Sequence, residues 1–249
     1  MYCHICQKTI NGQYYYDIWE HKICASHINN DVEQCSSCSA FTKKENVLTD
    51  GRILCDLCIS LSVKPNTNID VLKNKIVTTL AKVGFAITDS NNIPIEIVSA
   101  RRLANITNSN VKTPVKGYAS HEYTTYSSFS KIKNKSSFKI YILTYLTRIE
   151  FAGVLAHEML HIWQFQNNIK LSEKITEGFC NMGSYLIYDL YLKQNINNPP
   201  YDKLSKIFID NLHKETDPIY GDGFRQVYKY YESFGWNNLK KNILKHKIQ

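Results

Sequence analysis

Near the middle of this 249-residue chain stands Val154-Leu155-Ala156-His157-Glu158-Met159-Leu160-His161-Ile162-Trp163, an H-E-x-x-H pattern inside an apolar run. On a helix, residues four apart share a face, so both imidazoles reach one ion, while Glu158, about 100° further round, addresses a water beside it. The flanking Leu155, Met159, Ile162 and Trp163 predict burial of that helix and hence a fixed direction for both rings. A second helix is expected to begin at Ser172 and to bring up Glu177 as a third ligand, with Gly178 allowing close helix approach. Glu173 is the rival carboxylate, but its place beside the helix N-terminus suits a dipole partner better. Asn181, one turn after Glu177, is a candidate to orient a ligand histidine. Two imidazoles, one carboxylate and an open fourth position suit zinc, which would lower the pKa of its water while Glu158 acts as general base. That is the chemistry of peptide-bond hydrolysis. An oxyanion donor is also needed, and Tyr185, Tyr188, His121 and Tyr123 are candidates that spacing does not separate. Cys180 is expected to be buried on the same helix. The bland alternative is a buried helix whose two histidines pair with Glu177 and no metal.

Seven of the eight cysteines precede residue 59 and form a repeat. The first half runs Cys3-x2-Cys6, seventeen residues, then Cys24-x2-His27; the second runs Cys35-x2-Cys38, sixteen residues, then Cys55-x2-Cys58. Each half offers four ligands, which closes the coordination sphere, so two structural zinc ions are expected beside the catalytic one. His21 is the rival to His27, but alignment of the halves puts it at a turn. Units this small fold on metal binding more than on apolar area. Residues 1–62 hold 5 Lys/Arg against 7 Asp/Glu, although the whole chain carries a net charge of +8. An acidic zinc module is a poor electrostatic match for phosphates, so nucleic acid is not expected as a partner; the Lys-rich end, Lys240 to Lys247, reads as a solvated face.

The elements that must position these groups can be read around them. A polar link at Val63-Lys64-Pro65-Asn66-Thr67-Asn68 divides a zinc module, 1–62, from a second domain, 63–249. Ile69, Leu72, Ile76, Leu80 and Val83 predict a helix capped by Asn68 and ended by Gly84. Residues 93–99 and 138–146 read as strands, and the Ser/Thr/Asn-rich stretch between them as loops around a short strand at 117–126. Helices are expected at 151–167, 172–193, 202–213, 223–234 and 239–246, broken at Pro199-Pro200 and Asp217-Pro218. The fold class is therefore α+β, a small twisted sheet plus a mainly helical C-terminal part of zincin-like type. An edge strand at 118–126 could take an extended substrate by strand addition. No apolar run approaches the roughly 18 residues of a spanning helix, so no membrane partner is expected. Met1-Tyr2-Cys3-His4-Ile5-Cys6 lacks the basic and apolar regions of a secretory leader, and paired cysteines suit metal in a reducing, cytoplasmic setting.

Three stretches, Ala156-His157-Glu158-Met159-Leu160-His161-Ile162-Trp163, Glu177-Gly178-Phe179-Cys180 and Tyr220-Gly221-Asp222-Gly223-Phe224-Arg225, occur in the same order in a known family. The chain resembles the plant LIM-domain peptidases that restrain organ growth and their bacterial relatives, the DA-one-like peptidases. The resemblance implies a LIM-like front module, ligands His157, His161 and Glu177, a base at Glu158, and endopeptidase cleavage of proteins. It also implies a cleft-shaping role for Asp222 and Arg225. Ten residues separate Cys24 from Cys35, longer than the join within a typical LIM domain. The reading that follows is a zinc endopeptidase whose zinc module binds a protein partner or regulates the site. The alternative is a non-catalytic, protein-binding adaptor that keeps the peptidase fold as a scaffold.

Overall fold

A computed structural model describes residues 1–28, 30–111, 115–128 and 131–246, with the side chains of 125–135 outside the description. The cysteine-rich part consists of two two-stranded antiparallel sheets and a short helix. Strands β1 (Tyr14–Tyr16) and β2 (Lys22–Cys24) pair, then β3 (Val32–Gln34) and β4 (Phe41–Lys43), followed by α1 (Asp56–Ser60). Helix α2 (Asp70–Lys82) matches the expected amphipathic segment: Leu72, Ile76 and Leu80 are buried, Asn68 Oδ1 accepts the Asp70 amide at 2.9 Å, and Gly84 exits at φ +99°.

Strand β5 (Ile95–Val98), helix α3 (Ala100–Thr107) and strands β6 (Gly117–Ser128) and β7 (Lys131–Leu143) follow. The order is β5-β7-β6, with β5 parallel and β6 antiparallel to the central β7. Two expectations change here. The polar stretch is not a set of loops around one short strand but a long hairpin, registered from Gly117↔Ile142 to Ser128↔Lys131. Thr and Tyr favour extended backbone, and Ala119, Ile140, Ile142 and Leu143 at the base of the hairpin pack in the core. The same stretch also hides α3, capped by Ser99, whose side chain accepts the Arg102 amide.

Four helices complete the fold: α4 (Arg148–Gln166), α5 (Glu173–Gln194), α6 (Tyr201–Lys214) and α7 (Tyr220–Leu244). Thr147 and Ser172 cap α4 and α5 as N-cap acceptors. The two C-terminal segments expected apart are one run, α7, interrupted at Gly235, whose φ of +71° lies outside the helical region. The main core places α4 between the sheet, α2 and α5: Phe151, Leu155, Met159, Leu160, Ile162 and Trp163 are buried with Ile140, Ile142, Leu80 and Phe179. A second apolar cluster joins Cys35, Cys38, Leu54 and Cys58 to Ile149, Tyr188, Leu204, Ile207 and Phe208, so the second cysteine unit packs on the helices. A small third cluster joins Cys3 and Ile23 of the first unit to Val32 and to Phe41 of the second.

Candidate metal centre and cleft

Helix α4 presents His157 and His161 on the face turned toward α5, and α5 returns Glu177 to meet them. His157 Nε2 lies 3.1 Å from His161 Nε2 and 3.1 Å from Glu177 Oε2, and His161 Nε2 lies 3.5 Å from that oxygen. Three donors held about 2.1 Å from one zinc ion in tetrahedral geometry would stand roughly 3.4 Å apart. The donor set therefore fits the ion in chemistry and spacing. Burial alone would raise the Glu177 carboxyl, but hydrogen bonds and charge from His157 and His161 hold it at about 2, ionised and ready as a ligand.

The same turn of α5 fixes the ring directions. Nδ1 of His157 donates to Asn181 Oδ1 at 3.0 Å, and Asn181 Nδ2 donates to the Tyr220 carbonyl at 3.2 Å, which locks the amide in the orientation the histidine needs. Cys180 is buried as expected; it contacts His161 and donates to Gln164 Oε1 at 3.3 Å. Burial pushes its thiol up to about 11, which leaves it protonated at neutral pH.

Glu158 projects from α4 on the other side of the trio and is 5% exposed. Burial pushes its carboxyl above the ordinary range; the charges of His157 and His161 pull it back, Glu177 adds to the rise, and the Ala119 amide donates to it and lowers it. Gly117 lies against the same carboxylate: a Cβ there would stand 2.5 Å from Glu158 Oε1 and 2.7 Å from Val154 Cγ1. Strand β6 thus runs directly over Glu158. The Lys116 carbonyl accepts the Leu143 amide across the ladder. By alternation the Tyr118 amide also faces β7, and the amides of Gly117, Ala119 and His121 face the free edge.

The groove between α4 and β6 has a volume of about 680 Å³. Its α4 wall is the stripe Glu150, Val154, His157, Glu158, His161 and Phe165. Of the four oxyanion candidates only Tyr188 lines it. Tyr185 packs among Phe224, Tyr228 and Tyr231; His121 stacks on Phe138 and Phe165; Tyr123 is exposed. The residue missed from the sequence is Tyr220, at the start of α7, which also lines the groove. Burial, then the charges of Glu177 and Glu158, push its phenol up to about 12, so it remains a donor. Its approach depends on glycine: a Cβ on Gly178 would lie 2.2 Å from the Gly223 backbone, which is where α5 and α7 cross. Arg225 does not line the groove. It donates to the carbonyls of His213 and Glu215 and pairs with Asp222, and so fixes the end of α6, where Glu215 enters the groove wall.

In the cysteine-rich part, Cys3, Cys6, Cys24 and His27 converge, as do Cys35, Cys38, Cys55 and Cys58, each set with ligand atoms within 4.8 Å of one another. Cys38 Sγ and Cys55 Sγ are 3.7 Å apart, close to the ~3.8 Å expected of two thiolates on one tetrahedral zinc. His21 is outside the first set. Its Nδ1 pairs with Asp17 at 3.0 Å and its ring stacks on His4 at 4.0 Å. The buried Asp17 carboxylate also takes the amides of Trp19, His21 and Phe41, clasping one unit to the other. Both clusters fit a LIM-like, zinc-binding module. Among the described residues no helix is long and apolar enough to cross a membrane.

No family model matches the chain, and no solved structure does. Curated relatives do. Protein DA1 of Arabidopsis thaliana is 24% identical over 263 residues, covering 85% of this chain and 49% of the relative. Protein DA1-related 7 of the same plant is 21% identical over 296 residues, 97% of this chain and 52% of the relative. The LIM domain-containing protein HDR3 of Oryza sativa subsp. japonica is 22% identical over 280 residues, 90% of this chain and 56% of the relative. The chain thus spans about half the length of the curated relatives it matches. The resemblance read from the three sequence motifs holds, and the curated homologues of this chain are DA1 and DA1-related proteins and a LIM domain-containing protein.

Proposed function

We propose that this chain is a zinc-dependent endopeptidase of zincin-like fold (63–249) preceded by a LIM-like module (1–62), acting on protein substrates in a reducing cytoplasm. The observation that carries the reading is the convergence of His157 Nε2, His161 Nε2 and Glu177 Oε2 at 3.1 to 3.5 Å, with Glu158 beside them in the groove. The two imidazoles and Glu177 stand partly exposed at the groove, open to an ion, while Glu158 is buried beside them.

His157, His161 and Glu177 would hold the zinc, which when bound supplies a lowered pKa for water and polarisation of the scissile carbonyl. Glu158 takes the proton of the attacking water and passes it to the leaving amine; its raised pKa suits both halves of that transfer. The Ala119 amide holds the carboxylate in place, and the Tyr220 hydroxyl donates to the oxyanion as it forms. The free edge of β6 takes the substrate in extended form. The two cysteine-rich sites would hold structural zinc, and the module gives a surface for a protein partner.

The test is elemental analysis of the wild type and of Glu158→Gln, with cleavage of an unfolded protein followed alongside. About three zinc ions in both, and cleavage only in the wild type, is the expected result. About two zinc ions with no cleavage in either would leave the adaptor reading in its place.

A further inference from the structure

The second cysteine unit reaches the groove through one buried charge. Glu150, on the first turn of α4, is 3% exposed and lines the groove seven residues before His157. Its two oxygens have partners from opposite sides: Ser37 Oγ donates to Oε2 at 2.8 Å, and Lys116 Nζ pairs with Oε1 at 2.8 Å. Ser37 belongs to the loop between Cys35 and Cys38. That loop is tied to the other half of its unit, since the Ser36 amide donates to the Ile53 carbonyl at 2.7 Å and the Ile53 amide donates to Ser36 Oγ at 3.1 Å. Lys116 immediately precedes Gly117, which touches Glu158, and its half-exposed side chain lines the groove. Behind the pair, Cys35, Cys38 and Cys58 share an apolar cluster with Tyr188 and Phe208, which also line the groove.

We propose that Glu150 is a positioning residue that ties the second cysteine unit to Lys116, so that metal binding by Cys35, Cys38, Cys55 and Cys58 sets the shape of one end of the cleft. A buried carboxylate needs its partners. Ser37 is presented at a fixed place only while four thiols are drawn together, because a unit this small is folded by its metal. When that loop relaxes, Glu150 keeps one partner, itself half in solvent, and the entry of β6 is no longer held against α4. The LIM-like module is then a wall of the cleft. The consequence for cleavage rests on the proposed peptidase reading; the coupling itself does not.

Hydrogen–deuterium exchange on the full chain tests it, read at residues 115–119 with α2 as the reference segment. Ser37→Ala should speed exchange at 115–119 by roughly tenfold, the loss of one hydrogen bond to a buried charge. Cys55→Ser should do the same, the two together should be no faster than Cys55→Ser alone, and Ser37→Thr should restore the wild-type rate. In peptide cleavage Ser37→Ala should raise KM several-fold with kcat within about twofold and the zinc content unchanged. Wild-type exchange at 115–119 in Ser37→Ala would overturn the proposal, as would effects that multiply in the double variant. An inactive wild type would remove the peptidase reading while leaving the exchange comparison intact.

Discussion

Replacing Gly117 by Ala puts the smallest possible side chain between β6 and the base. The new methyl carbon would meet Glu158 Oε1 at 2.5 Å where ordinary contact begins near 3.4 Å, so the carboxylate or the strand must give by about 0.9 Å. Val154 Cγ1 at 2.7 Å closes the sideways escape. The backbone does not resist, because Gly117 is not among the glycines with positive φ, so the roughly 0.4–1 kcal/mol gained through the unfolded chain offsets only part of an overpacking cost of about 1–3 kcal/mol. A displacement of about 1 Å at a reacting group costs on the order of 10²-fold in rate, or about 2.7 kcal/mol. The three atoms nearest the methyl belong to Glu158 and Val154, not to His157, His161 or Glu177. We expect kcat/KM on a quenched fluorogenic peptide to fall about 10²-fold, with three zinc ions retained and the melting temperature unchanged or slightly lower. A rate within twofold of wild type would refute the placement of Glu158 as base under β6. Loss of the third zinc would show instead that β6 supports the ligands and not the base.

Tyr220→Phe should lower kcat by about 10²-fold with KM and zinc content little changed, as for loss of one oxyanion donor; a change confined to KM would make Tyr220 a substrate contact only. His121→Pro removes an amide that faces the free edge and leaves the β7 ladder paired, so it should raise KM for long peptides and spare zinc. Unchanged KM would remove strand addition, whereas Tyr118→Pro would break the ladder itself and is the wrong probe. Acidification should release the catalytic zinc by proton competition for His157 and His161. Without the ion, the two imidazoles hold the Glu177 carboxyl at about 2, so protons reach the imidazoles first. Zinc retention independent of pH down to the carboxylate range would contradict the ligand set.

The convergence of His157, His161 and Glu177 was legible because its parts are local. H-E-x-x-H fixes two rings by helical periodicity, and the short connection from α4 to α5 leaves Glu177 little choice of place. Asn181 was legible for the same reason, one turn further along α5. The parity of the two cysteine repeats placed His27 rather than His21 in the first cluster, and the structure shows what occupies His21 instead, the Asp17 carboxylate and the His4 ring. The failures are long-range. Tyr220 reaches the groove only because α5 and α7 cross at Gly178 and Gly223, a contact between segments forty-odd residues apart. Arg225, singled out by resemblance alone, braces the end of α6 instead of lining the groove. The hairpin of β6 and β7 was obscured by its composition: polar, and exposed at 121–124 and at 136–137, it lacks the apolar alternation by which strands are recognised.

Helix α5 explains why so much of the site sits in one short stretch. Glu177 meets His157 and would supply a ligand on the proposed reading, Gly178 admits α7 and with it Tyr220, Cys180 backs His161, and Asn181 bonds His157 while holding the Tyr220 carbonyl. Each residue faces a different neighbour because five consecutive positions sweep more than one full turn. A rotation of α5 that improved one contact would spoil the others, so Glu177, Asn181 and, through Gly178, Tyr220 are fixed by a single helix position. Glu158 is set separately, by β6, and β6 is in turn joined at Lys116 through Glu150 to the cysteine-rich part. On the proposed reading, metal retention and cleavage should therefore respond to different parts of the molecule: replacing Glu177 on α5 should remove zinc, whereas Gly117→Ala on β6 should slow turnover and Ser37→Ala should raise KM, each with zinc in place.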